Sequence, residues 1–247
     1  MIKRNYYKVV RVFPDPSSYF YIKNETMNGG NIIFFDTSWL NTLNLEYSFD
    51  KVNWTVVDGN INVPADSFVY FRNTSGTFNT ENLNSNFTIG FNSSLGGDIR
   101  TLFNYTDVDG VTAIPAYGLF RAFHSMSNYK IIDISNLSFR GITSIGDYGL
   151  YETFSNISNF FSFTKGVDLR DVTTLGNNAL YCMYEQISNL TEVYAPNVST
   201  WDTAKTESWL REVAPTGVVY KPSTLDIPAG TSSGIPSGWT TQDYPTI

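Results

Sequence analysis

The side chains that most often carry catalysis or bind transition metals are scarce in this chain. It contains one histidine, His124, and one cysteine, Cys182. A histidine-based catalytic relay would depend wholly on His124, and the chain has no Gly-x-Ser-x-Gly nucleophile turn. A zinc site needs more nitrogen and sulfur ligands than these two residues supply. The sequence therefore predicts a structural or surface role for His124, a buried packing role for Cys182, no metal site and no cofactor.

Oxygen-rich stretches give two further possibilities. Asp107 and Asp109, followed by Gly110, begin like a calcium-binding loop, but position 118 is glycine where such a loop has its glutamate. A tight Asp-Gly turn is the favoured interpretation. Glycoside hydrolysis needs two carboxyl groups, which can come from distant positions. The candidates are Glu152, Asp168, Glu185 and Glu192. Nothing singles out two of them as a pair, so we expect no enzyme.

The elements that would position these groups come from an internal repeat. Residues 145–151 (IGDYGLY) return 30 positions later as 175–181 (LGNNALY), and a fainter copy, 114–120 (IPAYGLF), lies 31 positions earlier. A second marker follows each copy at a constant interval, at 126–129, 157–160 and 187–190. A repeat of this period indicates stacked units, each with a short helical turn and a strand. The predicted repeat core is Leu119, Phe123, Gly149, Leu150, Phe154, Ala179, Leu180 and Tyr184.

The flanking regions complete a mainly β chain with short helices. Alternating apolar and polar residues before the repeats indicate a small antiparallel sandwich with a turn at 50–53. After the repeats, Asp202 or Thr203 is expected to cap a helix that reaches Val213. Residues 218–220 are expected to form a last strand, and Trp239 to pack back on the final turn. The predicted segments are an N-terminal arm (1–27), a β-sandwich-like module (28–97), a repeat solenoid (98–198) and a C-terminal cap (199–247).

The N-terminal arm is basic, although the chain as a whole carries a formal charge of −7. Prolines at 14 and 16 end its β-prone run, because proline cannot continue a hydrogen-bonded ladder. Two interpretations stay open: a segment that docks on a partner, or the first strand of the next module. The residues of the docking interpretation are Lys3, Arg4, Tyr6, Lys8, Val10, Arg11 and Phe13.

Composition excludes several classes of function. A net charge of −7 argues against a nucleic-acid partner, which needs a basic surface. The apolar runs are too short to cross a bilayer, so no membrane insertion is expected. The N-terminus lacks the apolar core of a secretory signal, which predicts release into the cytoplasm or assembly there into a particle. Among the many aromatic residues, Tyr148 and Trp201 are the candidates for exposed contact with a glycan or another chain.

The repeat markers resemble those of the BspA-type leucine-rich repeats, which occur in surface proteins of Bacteroidetes and in phages that infect them. The agreement is clearest in the third copy and weakest in the first, where Pro115 replaces glycine. Residues 45–54 and 69–72 resemble the β module that often precedes such repeats, and 209–239 resembles their closing segment. The resemblance covers roughly residues 28–243, and so concerns an architecture rather than a single motif.

This resemblance implies a leucine-rich-repeat solenoid and a function. Proteins of this plan recur as virion fibre and adhesion components, notably in crAss-like phages. We therefore expect a structural virion protein, a head fibre or capsid decoration protein, that is assembled in the host cytoplasm. Its expected partners are capsid or other virion proteins, further copies of itself in a homo-dimer or homo-trimer, and a bacterial surface glycan. The alternatives are a bacterial cell-surface adhesin of the BspA type and, third, a polysaccharide-degrading enzyme.

Overall fold

The computed structural model describes residues 19–34, 44–73, 87–123, 129–155 and 162–245. Strands dominate this part of the chain, which confirms the predicted mainly β class. One four-residue helix, α1 (Thr101–Asn104), and a 3-10 turn (Tyr105–Asp107) interrupt the described strands. The strands are β1 (Phe20–Asn24), β2 (Gly30–Ile33), β3 (Leu45–Ser48), β4 (Thr55–Val56), β5 (Ile61–Val63), β6 (Phe68–Asn73), β7 (Thr88–Ile89), β8 (Ser93–Asp98), β9 (Ala113–Ile114), β10 (Ile131–Ser138), β11 (Ser144–Ile145), β12 (Lys165–Asp168), β13 (Thr174–Leu175), β14 (Glu192–Tyr194), β15 (Gly217–Lys221) and β16 (Trp239–Asp243).

The largest sheet has six strands in the order β10-β8-β1-β6-β3-β4. β1 lies inside this sheet, antiparallel to both β6 and β8. Phe20 and Ile22 point into the core, while Tyr21 and Lys23 point outward. β1 lies within residues 1–27, the predicted arm, and pairs with strands of the predicted β module. The seven residues of the predicted docking arm lie in 1–18, outside the described residues.

A second sheet, β5-β2-β7, packs against the first. Phe87, directly before β7, joins the two sheets, with its ring centroid 6.1 Å from that of Phe20 and 5.3 Å from that of Phe71. The predicted turn at 50–53 is confirmed: the Asp50 carboxylate accepts hydrogen bonds from the backbone N–H groups of Val52 and Asn53. These bonds hold the pKa of Asp50 below its ordinary value.

The β module and the repeats share one core. β10, which belongs to the repeat region, pairs in parallel with β8, so the expected boundary at residue 97 falls inside a strand of the shared sheet. Buried apolar side chains form one cluster from Phe20 to Trp239. The two predicted modules are thus joined by a sheet and by side-chain packing.

The three copies of the repeat lie side by side. β9, β11 and β13 form a parallel sheet in which Ser144 pairs with Ala113 and with Thr174. The offsets in this register, 31 and 30 residues, equal the offsets between the copies in the sequence. A further parallel sheet has the order β12-β14-β15-β16, and β15 confirms the strand predicted at 218–220.

The predicted short helical turn within each copy is wrong. The segment after β11 is a series of tight turns in which Tyr148 and Glu152, four residues apart, have positive φ angles. An α-helix cannot continue through such residues. Every second N–H group bonds to the next copy instead, as Leu150 N–H does to the Ala179 carbonyl at 2.9 Å. Apolar spacing identified the buried side of this segment but not its backbone, because turns and helices share that spacing.

The helix predicted from Asp202 to Val213 is also absent. This segment again forms turns, with positive φ at Ser208 and Glu212. Its carbonyl groups accept hydrogen bonds from the third copy, as Trp209 does from Tyr184 N–H at 3.0 Å. The C-terminal segment therefore continues the stacking as a fourth layer. Trp239 packs near its end, where its indole N–H donates to the Ala214 carbonyl at 2.7 Å.

Candidate interaction surfaces

The eight residues predicted to form the repeat core are all buried. The ring of Phe154 is nearly parallel to those of Phe123 and Tyr184, with centroid distances of 5.7 and 5.9 Å. A second column, with centroid distances of 4.8 and 4.5 Å, consists of Phe120, Tyr151 and Tyr181. Such pairs contribute about 0.5–1.5 kcal/mol each beyond the burial of their area. In this structure, these residues hold adjacent copies together.

The small residue of each copy is matched to the side chain four positions earlier. A methyl group added at Gly149 would lie 2.6 Å from Cγ2 of Ile145, and the equivalent distance in the first copy is 2.7 Å. The third copy has Leu175 and Ala179 at these two positions. Leucine is not branched at Cβ and has no Cγ2 there. The small residue is thus glycine where the residue four positions earlier is isoleucine, and alanine where that residue is leucine.

The third aromatic of the first column is tyrosine, and its hydroxyl has a partner. The backbone N–H of Val167 in β12 donates to Oη of Tyr184 at 2.9 Å. Burial raises the pKa of this tyrosine, so the hydroxyl stays neutral. Tyr184 therefore satisfies a buried N–H group that a phenylalanine would leave without this bond.

The four carboxylates considered for glycoside hydrolysis each face a cation. The ion pairs are Arg121–Glu152, Arg170–Asp168, Arg211–Glu185 and Lys165–Glu192. The Arg121–Glu152 and Arg170–Asp168 pairs have N–O distances of 2.6 Å. Partly exposed pairs of this kind contribute about 0–1 kcal/mol. All four carboxylates are therefore members of ion pairs in this structure.

A more deeply buried pair follows β8. Arg100 donates to both carboxylate oxygens of Asp98, with an Nη2–Oδ2 distance of 2.7 Å, and both side chains are almost fully buried. These hydrogen bonds raise the pKa of Arg100. Asp168 and Arg170 repeat the arrangement after β12, in a more exposed position. The recurring Asp-x-Arg spacing was the sequence signal for both pairs.

The remaining candidates for chemistry fall into three cases. Cys182 is buried as expected, and burial raises the pKa of its thiol to about 11. His124 lies outside the described residues. The Oδ1 atom of Asp107 accepts a hydrogen bond from Gly110 N–H at 3.0 Å, which forms the predicted Asp-Gly turn. Within the described ranges, no group of three or more histidine, cysteine or acidic residues could hold a metal ion.

The outward side of the six-stranded sheet carries a cluster of aromatic rings that the sequence analysis did not identify. Tyr21 packs edge-on against Phe68 at 5.2 Å and contacts Tyr70 at 6.1 Å. The ammonium groups of Lys23 and Lys51 lie over Phe68 and Tyr70 at 5.7 and 4.5 Å. Burial raises the pKa of Tyr21 and of Tyr70, and the nearby Asp133 adds to the effect on Tyr21. In β1 and β6 every second side chain points outward, and this alternation was the sequence feature from which the cluster could have been predicted.

A second group on the same side joins the β module to the start of the repeats. The guanidinium of Arg72 lies between the rings of Trp54 and Tyr105, at 4.0 and 4.2 Å from their centroids. Its Nε also pairs with the Glu46 carboxylate at 2.6 Å. Because Tyr105 follows α1, this stack fixes α1 against the sheet.

The two residues proposed for glycan contact are placed differently from the expectation. Trp201 is only 8% exposed, and its indole N–H donates to the Ser233 carbonyl at 2.7 Å, so it offers no open ring face. Tyr148 is half-buried, and its ring stacks on Tyr117 at 5.0 Å. The expectation of an exposed platform is therefore wrong for Trp201, while Tyr148 has one ring face covered.

No helix in the described part of the chain is long and apolar enough to span a membrane. Comparison of the chain with protein-family models, with curated proteins and with solved structures gives no match. The geometry reported above is therefore the observation that bears on function.

Proposed function

We propose that this chain is a structural, non-enzymatic component of a bacteriophage particle, most specifically a head fibre or capsid decoration protein. We further propose that its stacked copies form a BspA-type leucine-rich-repeat solenoid. The observation that supports both proposals is the register of β9, β11 and β13, in which each copy pairs with the next at the sequence offset of 30 or 31 residues.

A structural role agrees with the way the copies are joined. Backbone hydrogen bonds, parallel strands and stacked rings connect every copy to its neighbour. Repeat proteins built from such nearest-neighbour contacts form elongated bodies with extended binding surfaces. Such a body suits a protein that projects from a particle, and the surface of the repeats is then available for adhesion to a bacterial glycan.

In this proposal the chain is attached to the particle by its basic N-terminal segment. The lysines and arginines at 3, 4, 8 and 11 contrast with the net charge of −7 for the whole chain. A basic, β-prone segment can add to a sheet edge of a capsid protein or bind an acidic surface there. The chain is also proposed to act as a homo-dimer or homo-trimer, because symmetric assembly gives a fibre avidity.

The alternative is a bacterial cell-surface adhesin with the same repeat architecture. Mass spectrometry of purified phage particles, and of envelope fractions from uninfected host cells, distinguishes the two. The proposal predicts the chain in particles at a defined copy number and none in uninfected envelopes. Its presence in uninfected envelopes, together with its absence from particles, would contradict the proposal and support the adhesin.

A polysaccharide-degrading enzyme is the third candidate, and it is tested separately. Purified protein is incubated with capsular polysaccharides of the host, and new reducing ends are measured. The proposal predicts no release above that of a heat-denatured control. Release that is lost on Glu152→Gln or Asp168→Asn, with the fold retained, would overturn the non-enzymatic assignment.

A further inference from the structure

Six large apolar residues are exposed at one end of the six-stranded sheet. The described residues include seven large apolar side chains with substantial exposure. Six of them belong to this end and are Met27, Phe49, Val52, Phe68, Tyr129 and Ile132. We call this region the apolar end. Val56, the seventh, lies near the opposite end of the same sheet.

The strand register places these residues together. β1 ends at Asn24, which pairs with Ser93 at the start of β8, and Ser93 pairs with Ile131 at the start of β10. On the other side of β1, Lys23 pairs with Phe68 at the start of β6. Beyond β6, β3 ends at Ser48, which pairs with Tyr70. The apolar end therefore collects one terminus of five adjacent strands, a width of about 19 Å at ~4.8 Å between strands.

Backbone hydrogen bonds between loops close this end. Glu25 N–H donates to the Asn92 carbonyl at 2.8 Å, and Lys130 N–H donates to Oδ1 of Asn92 at 3.0 Å. Asp66 N–H donates to the Thr26 carbonyl at 3.2 Å. The loops that carry Met27 and Tyr129 are thus both bonded to Asn92, which holds them on a formed surface.

The exposed apolar area is large for a monomer surface. With about 200 Å² for a large side chain, the exposed parts of the six residues amount to on the order of 600 Å². This is the upper limit of the largest patch on a typical monomer, about 300–600 Å². It also approaches the roughly 800 Å² that each partner contributes to an interface of standard size.

We propose that the apolar end is the surface through which copies of this chain associate, with the apolar end of one copy packed against that of another. Its rim supports a second copy as the occupant, because it carries exposed charges of both signs: Asp50 and Asp66 beside Lys51 and Lys130. When identical surfaces meet across a symmetry axis, such a rim can pair with itself. A strongly acidic or basic partner would meet like charges on part of the rim.

The position of residue 19, where the described part of the chain begins, agrees with this assignment. Residue 19 precedes β1 and lies beside Asp98, at the end of the sheet opposite the apolar end. Attachment through the N-terminal segment and association through the apolar end would therefore use opposite ends of one sheet. This inference extends the proposed homo-oligomeric state and does not depend on the role in a virion.

The test uses the purified full-length chain, two single substitutions at the apolar end and one control substitution in the hairpin that carries Val52. Val52→Lys, at 77% exposure, places a charge at the apolar end, and Met27→Lys, at 92% exposure, does so on the neighbouring loop. Both lysines would lie near carboxylates, those of Asp50 and of Asp66, so folding should be retained. Val56→Lys, at 55% exposure, is the matched control away from the apolar end.

Sedimentation velocity over a range of protein concentrations gives the association constant, and circular dichroism confirms that each variant is folded. We expect a dimer or trimer at micromolar concentration, association weakened by about 10-fold or more in Val52→Lys and in Met27→Lys, and no change in Val56→Lys. A wild-type chain that is monomeric at ~100 μM, or an oligomer weakened only by Val56→Lys, would overturn the proposal. Neither result would bear on the proposed role in a virion, which mass spectrometry of purified particles tests separately.

Discussion

Replacing Gly149 by alanine is expected to destabilise the protein, although the third copy carries alanine at the equivalent position. The new methyl group would lie 2.6 Å from Cγ2 of Ile145, well inside ordinary van der Waals contact. Relief requires a shift of a fully buried isoleucine or of the backbone that bonds to the next copy. In the third copy, Leu175 has no Cγ2 and leaves room for Ala179.

The magnitude follows from two opposing effects. Overpacking a formed core costs about 1–3 kcal/mol of the free energy of unfolding. Alanine also restricts the unfolded chain more than glycine does, which offsets about 0.4–1 kcal/mol. A net loss of about 1–2 kcal/mol is expected, equivalent to a fall in melting temperature of about 2–8 °C for a chain of this length.

The assay is thermal and urea unfolding of four proteins: wild type, Gly149→Ala, Ile145→Leu and the double variant. Ile145→Leu alone should cost less than about 1.5 kcal/mol, and it should remove most of the cost of Gly149→Ala. Leu175→Ile in the third copy is the matched control, which Ala179→Gly should rescue. Additive effects of Gly149→Ala and Ile145→Leu, or a Gly149→Ala variant as stable as wild type, would refute the reasoning.

Three further predictions concern single side chains. Tyr184→Phe should cost about 1–3 kcal/mol, measured by urea unfolding, because the buried N–H of Val167 loses its acceptor. Asp98→Asn should cost about 3–5 kcal/mol, because it leaves the buried Arg100 with only its longer pair to the exposed Asp109, at 3.5 Å. Asp168→Asn, in the same Asp-x-Arg geometry but more exposed, should cost clearly less, and equal losses would contradict this account. The thiol of Cys182 should resist alkylation at pH 8 in the folded protein and react on unfolding. Because folding raises its pKa from 9.0 to about 11, its contribution to stability is present below pH 9 and is lost as the pH rises through 11. Cys182→Ser should reduce the loss of stability between pH 9 and 11, and an unchanged profile would exclude this cause.

The repeat was predictable from sequence because the offset between copies is also the offset of their pairing. Residues such as Leu150 and Leu180 recur at that offset and are buried in the structure. The backbone between them was not predictable in the same way. Spacings of three and four residues are shared by helices and by turn series, and only the positive φ angles at Tyr148 and Glu152 distinguish the two. The residue types at these positions do not predict positive φ angles, because neither is glycine, which adopts such angles most readily.

The pairing of β1 and the burial of Trp201 could not be predicted, for a different reason. β1 lies within residues 1–27, which were predicted to be a separate arm, yet its neighbours in the sheet are β6 and β8, far along the chain. Trp201 was expected to be exposed, but it is buried and its indole N–H donates to the carbonyl of Ser233. Such contacts join residues more than 30 positions apart, and spacing within one segment does not reveal them.

The central claim is that this chain is a particle component attached through its N-terminal segment. The most direct measurement is the copy number of the chain per purified phage particle, by quantitative mass spectrometry, for the full-length chain and for a chain that lacks residues 1–16. We expect a fixed copy number for the full-length chain, and loss of the truncated chain from particles while its soluble form stays folded by circular dichroism. Absence of the full-length chain from particles would contradict the virion assignment, and normal incorporation of the truncated chain would contradict attachment through this segment.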